Sequence, residues 1–255
     1  MGGIRNAVRQ ELVARQLDEQ ISTRFAVGRR LRVLDVGPGQ GTQALRLARA
    51  GHLVTGLEPE PAMRDALRAA LEAEPEGIRD RVTLIDGDGR ETGRHFGPGS
   101  FDVVLCHGVL MYIPEPDPVL AALARVLAPG GLLSLLVRNA DALAMRPGLL
   151  GEWGTALDAF GSDTYTNRLG LTVRADRRDA LTATLTGIGV PLHTWYGVRV
   201  LSDAAPDDAL LPDDPAEREQ LFAAEELAGR TDPYRAVAAL LHFCGVRASP
   251  PGPPR

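Results

Sequence analysis

Residues 34–42 read Leu-Asp-Val-Gly-Pro-Gly-Gln-Gly-Thr, with glycines at 37, 39 and 41 directly after the apolar run 31–34. A strand that enters a glycine-rich turn and then a helix brings bare backbone close to a ligand. A dinucleotide-binding turn would need GxGxxG. A P-loop would need GK[ST], and the chain has no lysine: all 28 basic residues are arginine. The next strand-like run ends at Glu58, where a carboxylate can accept both hydroxyls of a ribose. Further candidates follow at Asp86-Gly87-Asp88-Gly89-Arg90, at His107 closing the run 101–107, and in Leu127-Ala128-Pro129-Gly130-Gly131. Glu58 alone does not separate a nicotinamide cofactor from another adenosine-bearing one.

These residues need a scaffold. Strand-like runs fall at Val33–Val36, Leu53–Leu57, Val82–Ile85, Phe101–Cys106 and Leu132–Val137, with helical patterns at Gln43–Ala50, Pro61–Ala73 and Pro118–Leu127 between them. Alternation of this kind predicts a parallel sheet covered by helices on both faces. Ala128–Gly131 is expected to stop a helix and form a tight turn. Residues 139–172 break the rhythm with scattered glycines and read as an insertion after strand five, over the ligand edge. Arg174–Gly187 is expected to be helical, Leu192–Leu201 a sixth strand, Glu217–Ala228 a helix and Ala236–Val246 the last strand. The expected fold is α/β: a doubly wound, Rossmann-like, mainly parallel sheet of seven strands, the last antiparallel.

Composition excludes several classes. The net charge of −5 gives no general attraction to nucleic acid. Cys106 and Cys244 have no metal-ligand or disulfide spacing and sit in apolar runs, so no metal is expected. No apolar run approaches membrane-spanning length. The first residues form an amphipathic helix, not a signal peptide, so a cytoplasmic protein is expected. The chain is read as one domain over 1–248, with an N-terminal helical cap at 1–30. The proline-rich 249–255 reads as a disordered tail.

The succession of motifs across 31–138 resembles the class I S-adenosylmethionine (SAM)-dependent methyltransferases. The stretches 31–63 and 106–147 further resemble the bacterial enzymes that esterify 5-carboxymethoxyuridine at the tRNA wobble position. A weaker likeness runs through Tyr196–Asp203, Gly229–Phe243 and Val8–Leu17. The resemblance implies SAM as cofactor, with S-adenosylhomocysteine (SAH) as product. It implies Arg9 at the SAM carboxylate, with Arg5 one turn earlier as a rival. Gly37, Pro38 and Gly39 would line the methionine part, and Asp35 is expected to order the loop. Glu58 would hold the ribose; Asp88, Gly89 and Arg90 would meet the adenine; His107 would flank the cofactor. Asp86 and Asp88 are not separable by sequence. In the family, residues upstream of the first helix help close the cofactor site. Only seven precede Val8, so either that lid is absent or the chain begins late.

Methyl transfer is an in-line displacement in which the protein mainly aligns the reactants and excludes water. A carboxylate acceptor needs no general base; a hydroxyl or amine would make His107 the candidate catalytic base. Tyr112, Trp153 and Tyr165 are candidate acceptor-site aromatics, with Trp195 a weaker one, and Arg168 and Arg174 are candidate partners for an anionic acceptor. Where an RNA surface should show, Arg168, Arg174, Arg177 and Arg178 are diluted by Asp163 and Asp176, and 203–219 is strongly acidic. A small-molecule acceptor methylated on O or N, a carboxylate among the candidates, is therefore expected over tRNA. Two other classes are a non-catalytic SAM-binding regulatory protein and a nicotinamide oxidoreductase, the latter opposed by the glycine spacing. Oligomeric state is left open.

Overall fold

The computed structural model describes residues 3–167 and 169–249. The chain opens with α1 (Ile4–Arg24), whose buried positions 5, 8, 12, 13, 16, 17 and 20 recur at helical spacing along one side. There follow β1 (Arg32–Val36), α2 (Thr42–Arg49), β2 (Leu53–Glu58), α3 (Pro61–Glu72), α4 (Glu76–Arg79), β3 (Val82–Asp86), α5 (Thr92–His95), β4 (Phe101–His107), α6 (Asp117–Val126) and β5 (Leu127–Arg138). Beyond lie α7 (Met145–Leu149), α8 (Trp153–Ala159), β6 (Thr164–Thr166), β7 (Thr172–Arg174), α9 (Arg178–Gly187), β8 (Leu192–Val198), α10 (Pro215–Ala228) and β9 (Leu240–Val246).

Seven of these strands form one sheet in the order β3-β2-β1-β4-β5-β9-β8. β1 to β5 pair in parallel, and β9 runs antiparallel to both its neighbours, β5 and β8. The predicted doubly wound sheet with an antiparallel last strand is present. Both faces are covered, so central strands such as β4 are buried through their apolar length. One core packs α6 and α9 against Leu34, Val104, Leu133 and Phe243; the other packs α1 and α2 against Val33, Leu105 and Leu132. The order reverses between β1 and β4, and a crevice opens there at the strands' carboxyl ends.

Four boundaries differ from expectation. Leu127–Gly131 is not a tight turn but the first part of β5: Leu127 pairs with Phe101 and the register then shifts. A bulge absorbs the glycines, with Gly130 at φ 74°. A Cβ on Gly131 would meet the carbonyl oxygens of Ala128 and Asp102 at 2.8 and 2.9 Å, so glycine is needed to stay in register. Arg174 does not begin a helix; it ends the hairpin β6–β7, and α9 starts at Arg178. That hairpin was not anticipated, because its strands are three residues each and its loop is closed by a side chain. Asn167 Oδ1 accepts the N–H groups of Leu169 and Leu171. At the far edge β8 stops at Val198 rather than Leu201, and β9 starts at Leu240 rather than Ala236. Arg168 and residues 250–255 of the proline-rich tail lie outside the described residues.

Candidate functional site

The glycine turn is held by backbone geometry that side chains would break. Gly37, Gly39 and Gly41 have φ of 69°, 56° and 83°. The Gly37 N–H donates to Leu57 O at 2.9 Å, and a Cβ there would lie 2.4 Å from Val109 Cγ2. Gly41 caps α2, and a Cβ on it would lie 2.1 Å from Leu67 Cδ1. The turn can therefore approach neighbours and a ligand only without side chains.

Two buried carboxylates flank it and do different work. Glu58 ends β2; its Oε2 accepts the Gly39 N–H and its Oε1 the Glu60 N–H, each at 3.1 Å. Asp35 is 3% exposed, and no hydrogen bond supports its charge. Burial, then the neighbouring Glu58 charge, pushes its carboxyl up to about 7. The expectation that Asp35 orders the loop is corrected: Glu58 does that, and Asp35 faces the crevice. Arg64 locks the strand ends beneath, donating to Glu58 O at 2.8 Å and to Asp86 Oδ1 at 2.8 Å.

The crevice is a cleft of about 450 Å³ whose wall includes Arg9, Asp35, Gly37, Pro38, Gly39, Gln43, Met63, His107 and Leu136. α1 carries Arg9 into it, where Nη2 donates to Asn6 Oδ1 at 2.9 Å. Burial, then the neighbouring Arg199 charge, lowers the Arg9 guanidinium's pKa. His107 lies at the end of β4, and its Nε2 is 2.8 Å from Ser134 Oγ. Burial, His242 and Arg9 hold its imidazole well below the usual histidine range, so it is neutral. Asp88, Gly89 and Arg90 do not line the cleft. Asp88 builds a short turn as a capping box with Glu91, and the Arg90 guanidinium returns to its carboxylate at 2.8 Å. This separates the two aspartates: Asp86 is an exposed partner of Arg64, whereas Asp88 shapes the chain.

A second cavity of about 710 Å³ adjoins the first. Arg5 on its wall is one helical turn from Arg9, and Arg138 shares a face of β5 with Leu136. Among the described residues, four guanidiniums line it, from Arg5, Arg138, Arg146 and Arg199. Two carboxylates answer them from the loop after β8. Asp203 pairs with Arg199 and, at 3.6 Å, with Arg138; Asp207 pairs with Arg5 and, at 3.3 Å, with Arg146. Arg138 Nε is buried without a protein partner. Glu152 and Asp158 stand on the exposed wall opposite. Tyr112, Tyr165 and Met111 also line it, with the Arg138 guanidinium 5.3 Å from the Tyr165 ring centre.

The structure sorts the sequence candidates accordingly. Arg9 enters the glycine cleft and Arg5 the neighbouring cavity. Tyr112 and Tyr165 face that cavity. Trp153 does not: it is 69% exposed on the solvent side of α8, because Ala156 takes that helix's inward position. Trp195 is in the core between Arg178 and Arg235. Arg174 is off the cavity wall and bonds Asp176 at 2.7 Å. Arg177 and Arg178 pair with Asp141 and Asp179. Reading by sequence missed Arg138, Arg146 and Arg199, which single-residue patterns do not mark. It also missed Ser134 and His242, which did carry a signal as lone polar residues inside Leu-Leu-Ser-Leu-Leu and Leu-Leu-His-Phe-Cys.

Both cysteines are buried and free, with thiols pushed up to about 12 by burial. Among the described residues no group of His, Cys, Asp and Glu is placed to hold a metal, and no helix is long and apolar enough to cross a membrane.

A methyltransferase-domain family model matches residues 34–135. The tRNA 5-carboxymethoxyuridine methyltransferase of Escherichia coli (strain K12) is 33% identical over 152 residues, 60% of this chain and 56% of that protein. The ubiquinone biosynthesis O-methyltransferase of Paracidovorax citrulli (strain AAC00-1) is 38% identical over 117 residues, 45% of this chain and 47% of that one. The chain thus spans about half the length of the curated relatives it matches. Among solved structures, the SAM-dependent methyltransferase of Mesorhizobium loti superposes with TM-score 0.57 at 17% identity, over 90% of this chain and 96% of that one. The 1,6-didemethyltoxoflavin-N1-methyltransferase of Burkholderia thailandensis, solved with SAH, gives 0.56 at 17% identity over 95% and 79%. At such identities these structures show the fold.

Proposed function

We propose that this chain is a class I SAM-dependent methyltransferase and that it transfers a methyl group to an O or N atom of a small anionic acceptor, a carboxylate oxygen being favoured. The observation that carries this reading is the pair of adjoining cavities. One holds the glycine turn with the Asp35 carboxylate and the half-buried Arg9 guanidinium; the other is lined, among the described residues, by four arginines.

The donor cleft fits a zwitterionic amino-acid end. The Arg9 fork matches its carboxylate, and Asp35, bare of protein donors, matches its ammonium group. Bound SAM supplies a methyl group on a sulfonium with an excellent leaving group, SAH. Gly37, Pro38 and Gly39 give backbone contact along the methionine part. Glu58 has spent one lone pair of each oxygen on backbone N–H groups and keeps others for the ribose hydroxyls. Neutral His107 flanks the reacting groups without adding positive charge beside a sulfonium.

The four guanidiniums stay charged at every working pH, and because Asp203 and Asp207 already pair with them, what they offer an anionic acceptor is fixed hydrogen-bond donors rather than excess charge. Arg138 Nε supplies a donor the protein leaves unused. A carboxylate held there is already ionised and attacks without a base, so positioning and water exclusion are the enzyme's main tasks. The tRNA-modifying relative makes RNA the second reading. Against it, Arg174, Arg177 and Arg178 are each matched by an aspartate and present few uncompensated cations to phosphates.

Calorimetry with SAM and SAH, with NAD as control ligand, tests the donor half. Micromolar binding that falls about tenfold or more in Glu58→Ala is expected, one charge-assisted hydrogen bond being worth roughly 1.5–3 kcal/mol. Binding of NAD instead, or of neither, overturns the reading. Methyl transfer from labelled SAM to small carboxylic acids, phenols and tRNA then tests the acceptor half. Turnover confined to tRNA would replace the small acid with RNA.

A further inference from the structure

A line of polar side chains leaves the donor cleft and runs through the apolar side of the sheet covered by α1. His107 Nε2 is 2.8 Å from Ser134 Oγ; Ser134 Oγ is 2.7 Å from His242 Nε2; His242 Nδ1 is 2.7 Å from Gln16 Oε1. The last three residues are fully buried, and the chain neighbours of Ser134 and His242 are apolar. The sheet explains the alignment. Leu136 of β5 pairs with His107 on one side and His242 on the other, and Ser134 lies two residues along the same face. Gln16 lies seven residues, about two turns, from Arg9, so one face of α1 supplies both a cleft residue and the far end of the line.

We propose that Ser134, His242 and Gln16 are positioning residues that fix the tautomer of His107, leaving its Nδ1 as a bare hydrogen-bond acceptor for the donor cleft. The Gln16 amide is placed with Oε1, which has no proton to give, on His242 Nδ1 and with Nε2 buried without a partner. His242 Nδ1 must therefore carry the hydrogen. Burial holds His242 neutral, so its Nε2 is a lone pair and takes the Ser134 hydroxyl hydrogen. Ser134 Oγ has then spent its only proton and accepts from His107 Nε2–H. His107 is neutral as well, and its Nδ1 is left without a proton. The line ends at an amide that can neither take up nor release a proton, so it orients His107 rather than draining protons from it. A purely structural role, pinning α1 to the sheet, would not require the line to open into the ligand cleft, yet His107 is part of that cleft's wall.

This rests on the donor site proposed above, and the test separates the two. Protein labelled with ¹⁵N-histidine is examined by NMR as wild type, Ser134→Ala and Ser134→Thr, with and without SAH. In wild type, His107 is expected as the Nε2–H tautomer, with an Nδ1 resonance that moves on adding SAH. Ser134→Ala is expected to give mixed-tautomer shifts at His107 and to weaken SAH binding about threefold to tenfold, the scale of one neutral hydrogen bond. Ser134→Thr, which keeps the hydroxyl, is expected to restore both. A wild-type His107 protonated on Nδ1 overturns the proposal. So does a Ser134→Ala protein whose His107 spectrum is unchanged while its melting temperature falls, since that is the signature of packing alone. If SAH does not bind at all, the donor-site reading fails, and the wild-type and Ser134→Ala spectra still decide the relay.

Discussion

The two cavities draw on neighbouring positions of α1 and β5 but are built on opposite plans. The donor cleft is assembled from backbone: three glycines at positive φ, of which Gly37 and Gly39 donate to Leu57 O and Glu58 Oε2 at the end of β2 and Gly41 donates to Pro38 O within the turn. The acceptor cavity is assembled from side-chain charge, with Arg5, Arg138, Arg146 and Arg199 drawn from three distant parts of the chain around Asp203 and Asp207. A backbone-built site tolerates almost no change of shape and is reached by short-range sequence. A charge-built site tolerates reshaping and depends on which distant segments meet. The same scaffold can therefore keep its donor and change its acceptor.

The contrast predicts graded, separable failures. Gly37→Val should cause the largest loss. It forces a branched side chain into positive φ against Val109, and SAH binding by calorimetry should fall by a hundredfold or more. If binding survives, the turn is not backbone-limited. Next, Arg138→Leu should raise the acceptor KM by about tenfold or more, the range for a charge-assisted bond, while the SAH Kd stays within about twofold. Equal loss of both would mean that the cavities are one site. Arg138→Lys should not restore it, because an ammonium lacks the planar fork.

Asp35 sharpens the comparison through pH. Its folded-state carboxyl titrates at about 7, above the ordinary aspartate value, because burial and Glu58 disfavour its charge. Its contribution to stability is thus complete below about pH 4 and lost as pH rises through 7. The ligand-free melting temperature should be lower at pH 8 than at pH 5.5. Asp35→Asn should reduce that difference, and SAM, through its ammonium group, should protect wild type most at the higher pH. A difference unchanged in Asp35→Asn would place the titration elsewhere. The smallest effect is expected for Trp153→Ser, exposed and off both walls: stability within about 0.5 kcal/mol by denaturant titration and unchanged SAH affinity. A loss of activity there would add α8's outer face to the acceptor site.

Much of the donor half could be read along the chain. Strand, turn and helix follow one another within residues 32–49, and the requirement for glycine is local. Even there, the division of labour between Asp35 and Glu58 was misjudged, since which carboxylate meets the Gly39 N–H depends on how β2 lies beside β1. Asp86 and Asp88 were likewise inseparable until Arg64 took one and the capping turn took the other.

The alternation of strand and helix, the glycine turn and the apolar identity of the central strands follow from period and turn chemistry, properties that belong to neighbouring residues. The arginine cavity and the line from His107 to Gln16 were decided by tertiary structure alone. Their members are as far apart as Gln16 and His242, or Arg5 and Asp207, and meet only because β9 inserts beside β5 and α1 folds back over it. Local sequence sets the backbone's conformation, whereas the partner of a buried charge or a lone polar side chain is fixed by long-range packing.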